Sequence, residues 1–168
     1  MAGLIQKIET IITSNLGENL IIEQFDGSID NYILVRAERL LEICHLLRDH
    51  SELYFDMLSC ITGIDNLPEE ESLEVVYSLN SIPFNYRINL KVKLPRTEDE
   101  EKLPTVPSVT TVWKTANWLE REVFDLTGIN FENHPDLRRI LLPTDWKGHP
   151  LRKDYQLQEY YHGIKVKY

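Results

Sequence analysis

Apolar positions recur at helical spacing at the start of the chain, where Leu4, Ile5, Ile8, Ile11 and Ile12 fall on one face. That stripe predicts an amphipathic helix to about Ser14, closed by the Asn15-Leu16-Gly17 turn. Leu20 to Phe25 is a short β-prone run, and Asp26-Gly27 turns it toward a second, Tyr32 to Val35. Helical spacing returns over residues 37–49 at Leu40, Leu41, Cys44, Leu46 and Leu47, ahead of a strand expected from Tyr54 to Thr62 and broken at Gly63. After an acidic loop from Asp65 to Ser72 the period becomes two. Leu73, Val75, Tyr77 and Leu79 alternate with polar or half-buried neighbours, and Tyr86, Ile88, Leu90, Val92 and Leu94 alternate with Arg87, Asn89, Lys91 and Lys93. Separated only by Asn80 to Asn85, these runs predict an antiparallel pair with one wet face. Three prolines and the run Glu98-Asp99-Glu100-Glu101 predict a solvated loop from Pro95 to Ser108. A last helix is expected with Ser108 as its cap, Val112, Ala116, Leu119, Val123 and Leu126 along one side, and Gly128 as its stop.

From Asn130 no period holds for long. Pro135, Pro143, Gly148, Pro150 and Gly163 punctuate the segment, which still carries Phe131, Leu137, Ile140, Leu141, Leu142, Trp146, Leu151 and Tyr155. That is too much apolar surface to leave in water. An extended arm lying on something else resolves the conflict, either on the body of this chain or on a partner. The expected fold is α+β (α/β-type), with a partly antiparallel sheet flanked by helices. Residues 1–134 form the body, and residues 135–168 form an extended Pro-rich arm docking on a partner subunit.

A length of 168 residues suits one domain. No apolar run approaches the ~20 residues of a membrane span, and the N-terminal segment lacks the layout of a secretory signal. Cys44 and Cys60 are too few for a disulfide framework or a cysteine-held iron–sulfur cluster, and both are expected to be buried thiols. A net charge of −9 argues against a nucleic-acid partner. The arm departs from that average: seven Lys and Arg against four Asp and Glu make it +3, leaving −12 on the first 134 residues.

Candidate chemistry concentrates near the arm. Arg121 and Asp125, beside Glu120 and Glu122, stand at i,i+4 on the last helix. They form either a solvated helical salt bridge or part of a buried junction where Arg makes forked bonds to a carboxylate or to carbonyls. His134 and His149, with Asp136 and Asp145 nearby, are metal-ligand types. Each His precedes a proline and lacks helical ligand spacing, so a turn role is expected instead. Arg138-Arg139 and Arg152-Lys153 could grip phosphates, lipid headgroups or carboxylates, and the Pro, Trp and Leu around them favour a protein surface. No phosphate loop, dinucleotide fingerprint or nucleophile motif is present.

The stretch from Glu120-Arg121-Glu122-Val123-Phe124-Asp125 through Gly128-Ile129-Asn130-Phe131-Glu132-Asn133-His134-Pro135-Asp136-Leu137-Arg138-Arg139-Ile140-Leu141 resembles the signature of the C-subunit family of respiratory complex I. Asp145-Trp146-Lys147-Gly148-His149-Pro150-Leu151-Arg152-Lys153-Asp154-Tyr155 resembles its second half. Thr127 and Gln156 depart from the family pattern without touching its charged positions.

The resemblance implies a peripheral-arm subunit of a proton-translocating NADH:quinone oxidoreductase, on the cytoplasmic side of the membrane and attached only through the complex. Flavin and iron–sulfur clusters are then expected on other subunits, NADH and quinone are substrates of the complex, and no independent active site is expected here. The partners implied are chiefly the D subunit, which lines the quinone site, and also the B subunit. Glu120, Arg121, Asp125, His134, Arg138, Arg139, Trp146, His149, Arg152 and Lys153 are the expected interface residues. Two rival readings stand beside this one. One is the equivalent subunit of a complex fed by ferredoxin or another donor. The other is a free-standing metal-dependent enzyme using the arm's His and Asp residues.

Overall fold

The computed structural model describes residues 3–27, 31–97 and 102–166. Helix α1 (Leu4–Leu16) buries Ile5, Ile8, Ile11 and Ile12, the face its spacing predicts, and ends at Gly17, whose amide donates to Thr13 O. Strand β1 (Ile21–Phe25) pairs antiparallel with β2 (Tyr32–Val35). A single 3-10 turn, Ala37–Arg39, leads into α2 (Leu40–Asp49), which buries Leu40, Ile43, Cys44 and Leu47. Strands β3 (Met57–Asp65), β4 (Ser72–Ser81) and β5 (Tyr86–Pro95) form an antiparallel meander. Parallel pairing of β5 with β2 completes a five-stranded sheet in the order β1-β2-β5-β4-β3. The architecture is α+β with a mixed, partly antiparallel sheet flanked by helices, in agreement with the expectation.

Register explains why the meander is the heart of the core. Leu73 faces Leu94, Val75 faces Val92, Tyr77 faces Leu90 and Leu79 faces Ile88, and all eight are buried. Each such side chain contributes about 1.5–3 kcal/mol by leaving water. The intervening positions form the polar face, where Ser78 Oγ donates to Asn89 Oδ1 at 2.9 Å and Lys91 pairs with Glu74 at 3.0 Å.

Beyond the sheet come β6 (Thr105–Pro107), α3 (Ala116–Thr127) and β7 (Asn130–Glu132), with β6 and β7 paired in parallel. The rest of the chain runs through turns to a small hairpin, β8 (Tyr160–Tyr161) with β9 (Ile164–Lys165).

Several local expectations are corrected. The strand expected at Tyr54 begins at Met57, because Leu53 and Phe55 are buried where the chain closes under α2, with Phe55 N bonded to Leu47 O at 3.0 Å. Gly63 does not break that strand. A Cβ there would lie 2.9 Å from the Val123 and Thr127 side chains, so the glycine is what lets α3 pack against β3. Part of the proline-rich loop is β6, with Val106 buried against β7, while the acidic run at 98–101 lies outside the described residues. Helix α3 starts at Ala116 rather than near Ser108. Residues 109–115 form turns that bury Val109 and Trp113, and Ser108 bonds Glu120 instead of capping. Cys44 is buried as expected; Cys60, on a bulged stretch of β3, is exposed.

Candidate functional site

The signature residues meet where the arm crosses α3. Asp125, in the C-terminal half of that helix, is fully buried. Its Oδ2 accepts three successive backbone amides from the arm, Ile140 at 3.0 Å, Leu141 at 2.8 Å and Leu142 at 2.9 Å. Its Oδ1 accepts Arg139 Nη1 at 2.7 Å. Arg139 also donates to Asp125 O and to Gly148 O, so one guanidinium joins helix, arm and the turn before His149. The His149 ring donates from Nδ1 to the same Asp125 carbonyl at 2.9 Å. Burial by itself would raise the Asp125 carboxyl, but the Leu142 amide, Arg139 and the other two amides outweigh it and hold it below the ordinary carboxylate value.

Arg121 and Asp125 do not form the i,i+4 bridge that their spacing offered. Arg121 donates from Nε to Arg138 O at 3.2 Å and from Nη2 to Arg139 O at 3.4 Å, and it lies over the Trp118 ring. The arm covers this face of the helix, and its carbonyls and amides compete with the helix's own side chains. Of the two readings left open, the buried junction is the one observed. Arg138 itself contributes only its carbonyl; its side chain is 70% exposed, on Asp136.

A second anchor lies at the end of α3. Gly128 takes φ +70°, and a Cβ there would fall about 2.5 Å from the His149 ring. Glycine therefore serves both the left-handed helix stop and the close approach of the arm. Arg152 reaches back to the carbonyls of Thr127 (2.8 Å), Gly128 (3.4 Å) and Thr97 (3.2 Å), placing its charge at the negative end of the helix. Lys153 contributes its backbone amide to Asp65 Oδ2 at 2.8 Å, while its residue is exposed. Asp65 pairs with Arg96 at 2.5 Å, and Arg96 bridges on to Asp154 of the arm at 2.6 Å. Burial pushes the Asp65 carboxyl up, yet the Lys153 amide, Arg96 and the Leu67 amide prevail and hold it down.

The outer arm is ordered by aromatics. Trp146 Nε1 donates to Tyr155 Oη at 3.0 Å, and its ring packs on Tyr161 at 5.2 Å between centroids. Asp145 accepts Tyr161 Oη and His162 Nε2, both at 2.8 Å. His134 donates from Nε2 to Asn117 O at 3.0 Å and accepts the Asp136 amide at Nδ1, the turn role that His-Pro suggested. Glu120 is fully buried beside it, at 3.9 Å. Among the described residues no three His, Cys, Asp or Glu side chains gather as a metal-ligand set. The buried carboxylates of Asp65 and Asp125 are saturated by donors within the chain. The arrangement joins segments together.

Residues 33–161, a span containing this whole junction, match the family described as "Respiratory-chain NADH dehydrogenase, 30 Kd subunit". The chain belongs to that family. It is 48% identical over 128 residues to the C subunit of NADH-quinone oxidoreductase from Chlorobium phaeobacteroides (strain DSM 266 / SMG 266 / 2430), covering 76% of this chain and 74% of the relative. It is 46% identical over 137 residues to the corresponding C subunit from Geotalea uraniireducens (strain Rf4), covering 82% and 78%. Among solved structures, a chain of the membrane-bound sulfane sulfur reductase, an archaeal respiratory membrane complex, shares the fold with a TM-score of 0.73 at 22% identity, over 91% of this chain and 85% of that one. Membership makes the 30 kDa-family chain a component of a multisubunit respiratory oxidoreductase. Among the described residues, no helix is long and apolar enough to cross a membrane.

Within this 30 kDa-family chain, sequence reasoning missed Asp65, Arg96 and Ser108. The first two had a legible signal. In an antiparallel meander, the end of β3, the start of β4 and the end of β5 lie at the same edge, and Asp65↔Leu73↔Leu94 is the observed register. An acid and a base brought to one sheet edge can pair there, but a strand expected to stop at Thr62 hides the coincidence. Ser108 carried no such signal.

Proposed function

We propose that the chain is a cofactor-free peripheral-arm subunit of a proton-translocating NADH:quinone oxidoreductase, holding the quinone-site D subunit from the cytoplasmic side of the membrane, with the B subunit as a second neighbour. Flavin, iron–sulfur and quinone chemistry then belong to other subunits. One observation carries this reading: the buried charges of the signature bind the arm to its own body, so the arm offers a preorganised surface. Asp125, Arg121, Arg139 and Arg152 fix the path of the arm, while Leu141, Leu151, Leu157, Tyr160 and Ile164 remain exposed on it. A rigid apolar surface loses little conformational entropy when a partner covers it. Leu141 and Leu151 are the natural anchors. Trp146, an expected anchor, is half-buried between Tyr155 and Tyr161 and acts by shaping the arm.

The test is incorporation into the complex. Leu141→Asp with Leu151→Asp should leave the thermal transition of the isolated chain unchanged and sharply reduce recovery of the D subunit in a pull-down. Undiminished recovery would sink the proposal.

A further inference from the structure

Glu120 is the one buried charge of the signature that the junction does not use. Its carboxylate lies in the core, Oε1 accepting the Val109 amide and Oε2 accepting the Ser108 hydroxyl, both at 2.7 Å. His134 comes within 3.9 Å of Oε2 but commits both ring nitrogens to backbone partners, Asn117 O and the Asp136 amide. Facing Glu120 from α2 is the Cys44 thiol and from β4 the Tyr77 phenol, both buried and both pushed up, first by burial and then by Glu120. Among the described residues no Lys or Arg forms an ion pair with it, unlike Asp125 and Asp65, each of which holds an arginine.

The hydroxyls around Glu120 suit two charge states. Ser108 Oγ lies 2.9 Å from Thr110 Oγ1 and accepts the Thr110 amide. With Glu120 ionised, Thr110 donates to Ser108 and Ser108 donates to Oε2. With a proton on Oε2, the carboxyl donates to Ser108 Oγ and Ser108 turns its hydrogen to Thr110 Oγ1. The Val109 and Thr110 amides keep their bonds in both. The carboxyl and the Ser108 hydroxyl stay fully paired in both states. With the proton on Oε2, Thr110 Oγ1 accepts from Ser108 and its own hydrogen is released from Ser108, and each hydroxyl rotates without displacing a heavy atom. Thr110 ends this relay next to the exposed Thr111.

We propose that Glu120 is a buried proton-binding site, taking up and releasing one proton from solvent by reversal of the Ser108–Thr110 hydroxyl pair. The site makes the grip of α3 on the β6–α3 segment sensitive to pH. In support, burial raises the carboxyl from 4.5 to about 7 against the opposing bonds from Ser108 and Val109. The sign follows from linkage: the folded chain binds this proton between those values and the unfolded chain does not. Its stabilising contribution is therefore complete below pH 4.5 and is lost as pH rises through about 7.

The test is a pH titration of the full chain carrying carboxyl-labelled glutamate, with Glu120 assigned by its loss in Glu120→Gln. We expect a midpoint near 7, moving further up in Ser108→Ala because the ionised form loses a charge-assisted donor, worth more than the neutral acceptor the protonated form loses. Relative to Glu120→Gln, whose amide reproduces the neutral hydrogen bonds, the wild-type folded-to-unfolded ratio should fall by up to about tenfold per pH unit across the window. A wild-type midpoint near 4.5, or a midpoint indifferent to Ser108→Ala, would overturn the proposal.

Discussion

The sheet and the arm are held by different forces. In the meander, four facing apolar pairs from Leu73–Leu94 to Leu79–Ile88 exclude water, and burial supplies the stability. In the arm, carboxylates and guanidiniums hold backbone groups: Asp125 gathers three amides and Arg152 reaches three carbonyls. A hydrophobic pair tolerates small shifts in geometry, whereas a carboxylate holding three successive amides fixes one backbone path. The sheet thus provides stability and the arm's contacts provide definition, which is what a surface offered to another subunit requires.

The sharpest way to break that contrast is Asp125→Ala. It leaves Arg139 and three amides without their acceptor, and we predict a loss of about 3–5 kcal/mol in urea unfolding. Leu90→Ala in the sheet should cost a similar ~2–5 kcal/mol, but with a different signature. The arm substitution should raise arm exchange rates most, and the sheet substitution should loosen all protected amides together. Arg152→Ala comes next, at about 1.5–3 kcal/mol for its charged hydrogen bonds. Arg152→Lys should recover only part, because an ammonium cannot span three carbonyls.

Acid should separate the two regions without any mutation. Asp125 and Asp65 are both held below their ordinary value of 3.8, so their contribution is present above it and is lost as pH falls through the lowered values. On acidification the arm amides should lose protection before those of β4 and β5. At the small end, Arg138→Ala should change stability by less than about 1 kcal/mol, because its pair with Asp136 is solvated.

Legibility in the sequence follows the same division. Period-two alternation announced β4 and β5, and helical spacing announced α1 and α2, because burial of one face writes itself along the chain. Contacts between a side chain and distant backbone leave no period. Asp125 and Arg121 therefore looked like partners at i,i+4 when each in fact binds the arm. The division at 134 came from the loss of periodicity, whereas Asp65, Arg96 and Asp125 of the body all bind residues beyond it. Those bonds are what a truncation there would leave unmade. Gly63 read as a break for the same reason, since nothing local reveals that a helix packs on it.

Amide hydrogen exchange on the isolated chain at neutral pH tests the central claim most directly. If the arm is locked onto its own body, the amides of Ile140, Leu141, Leu142 and Lys153 exchange slowly with no partner present, and Asp125→Ala releases the first three. Exchange of all four at the rate of an unstructured chain would contradict the account, and would mean that the partner, and not Asp125 and Asp65, orders the arm.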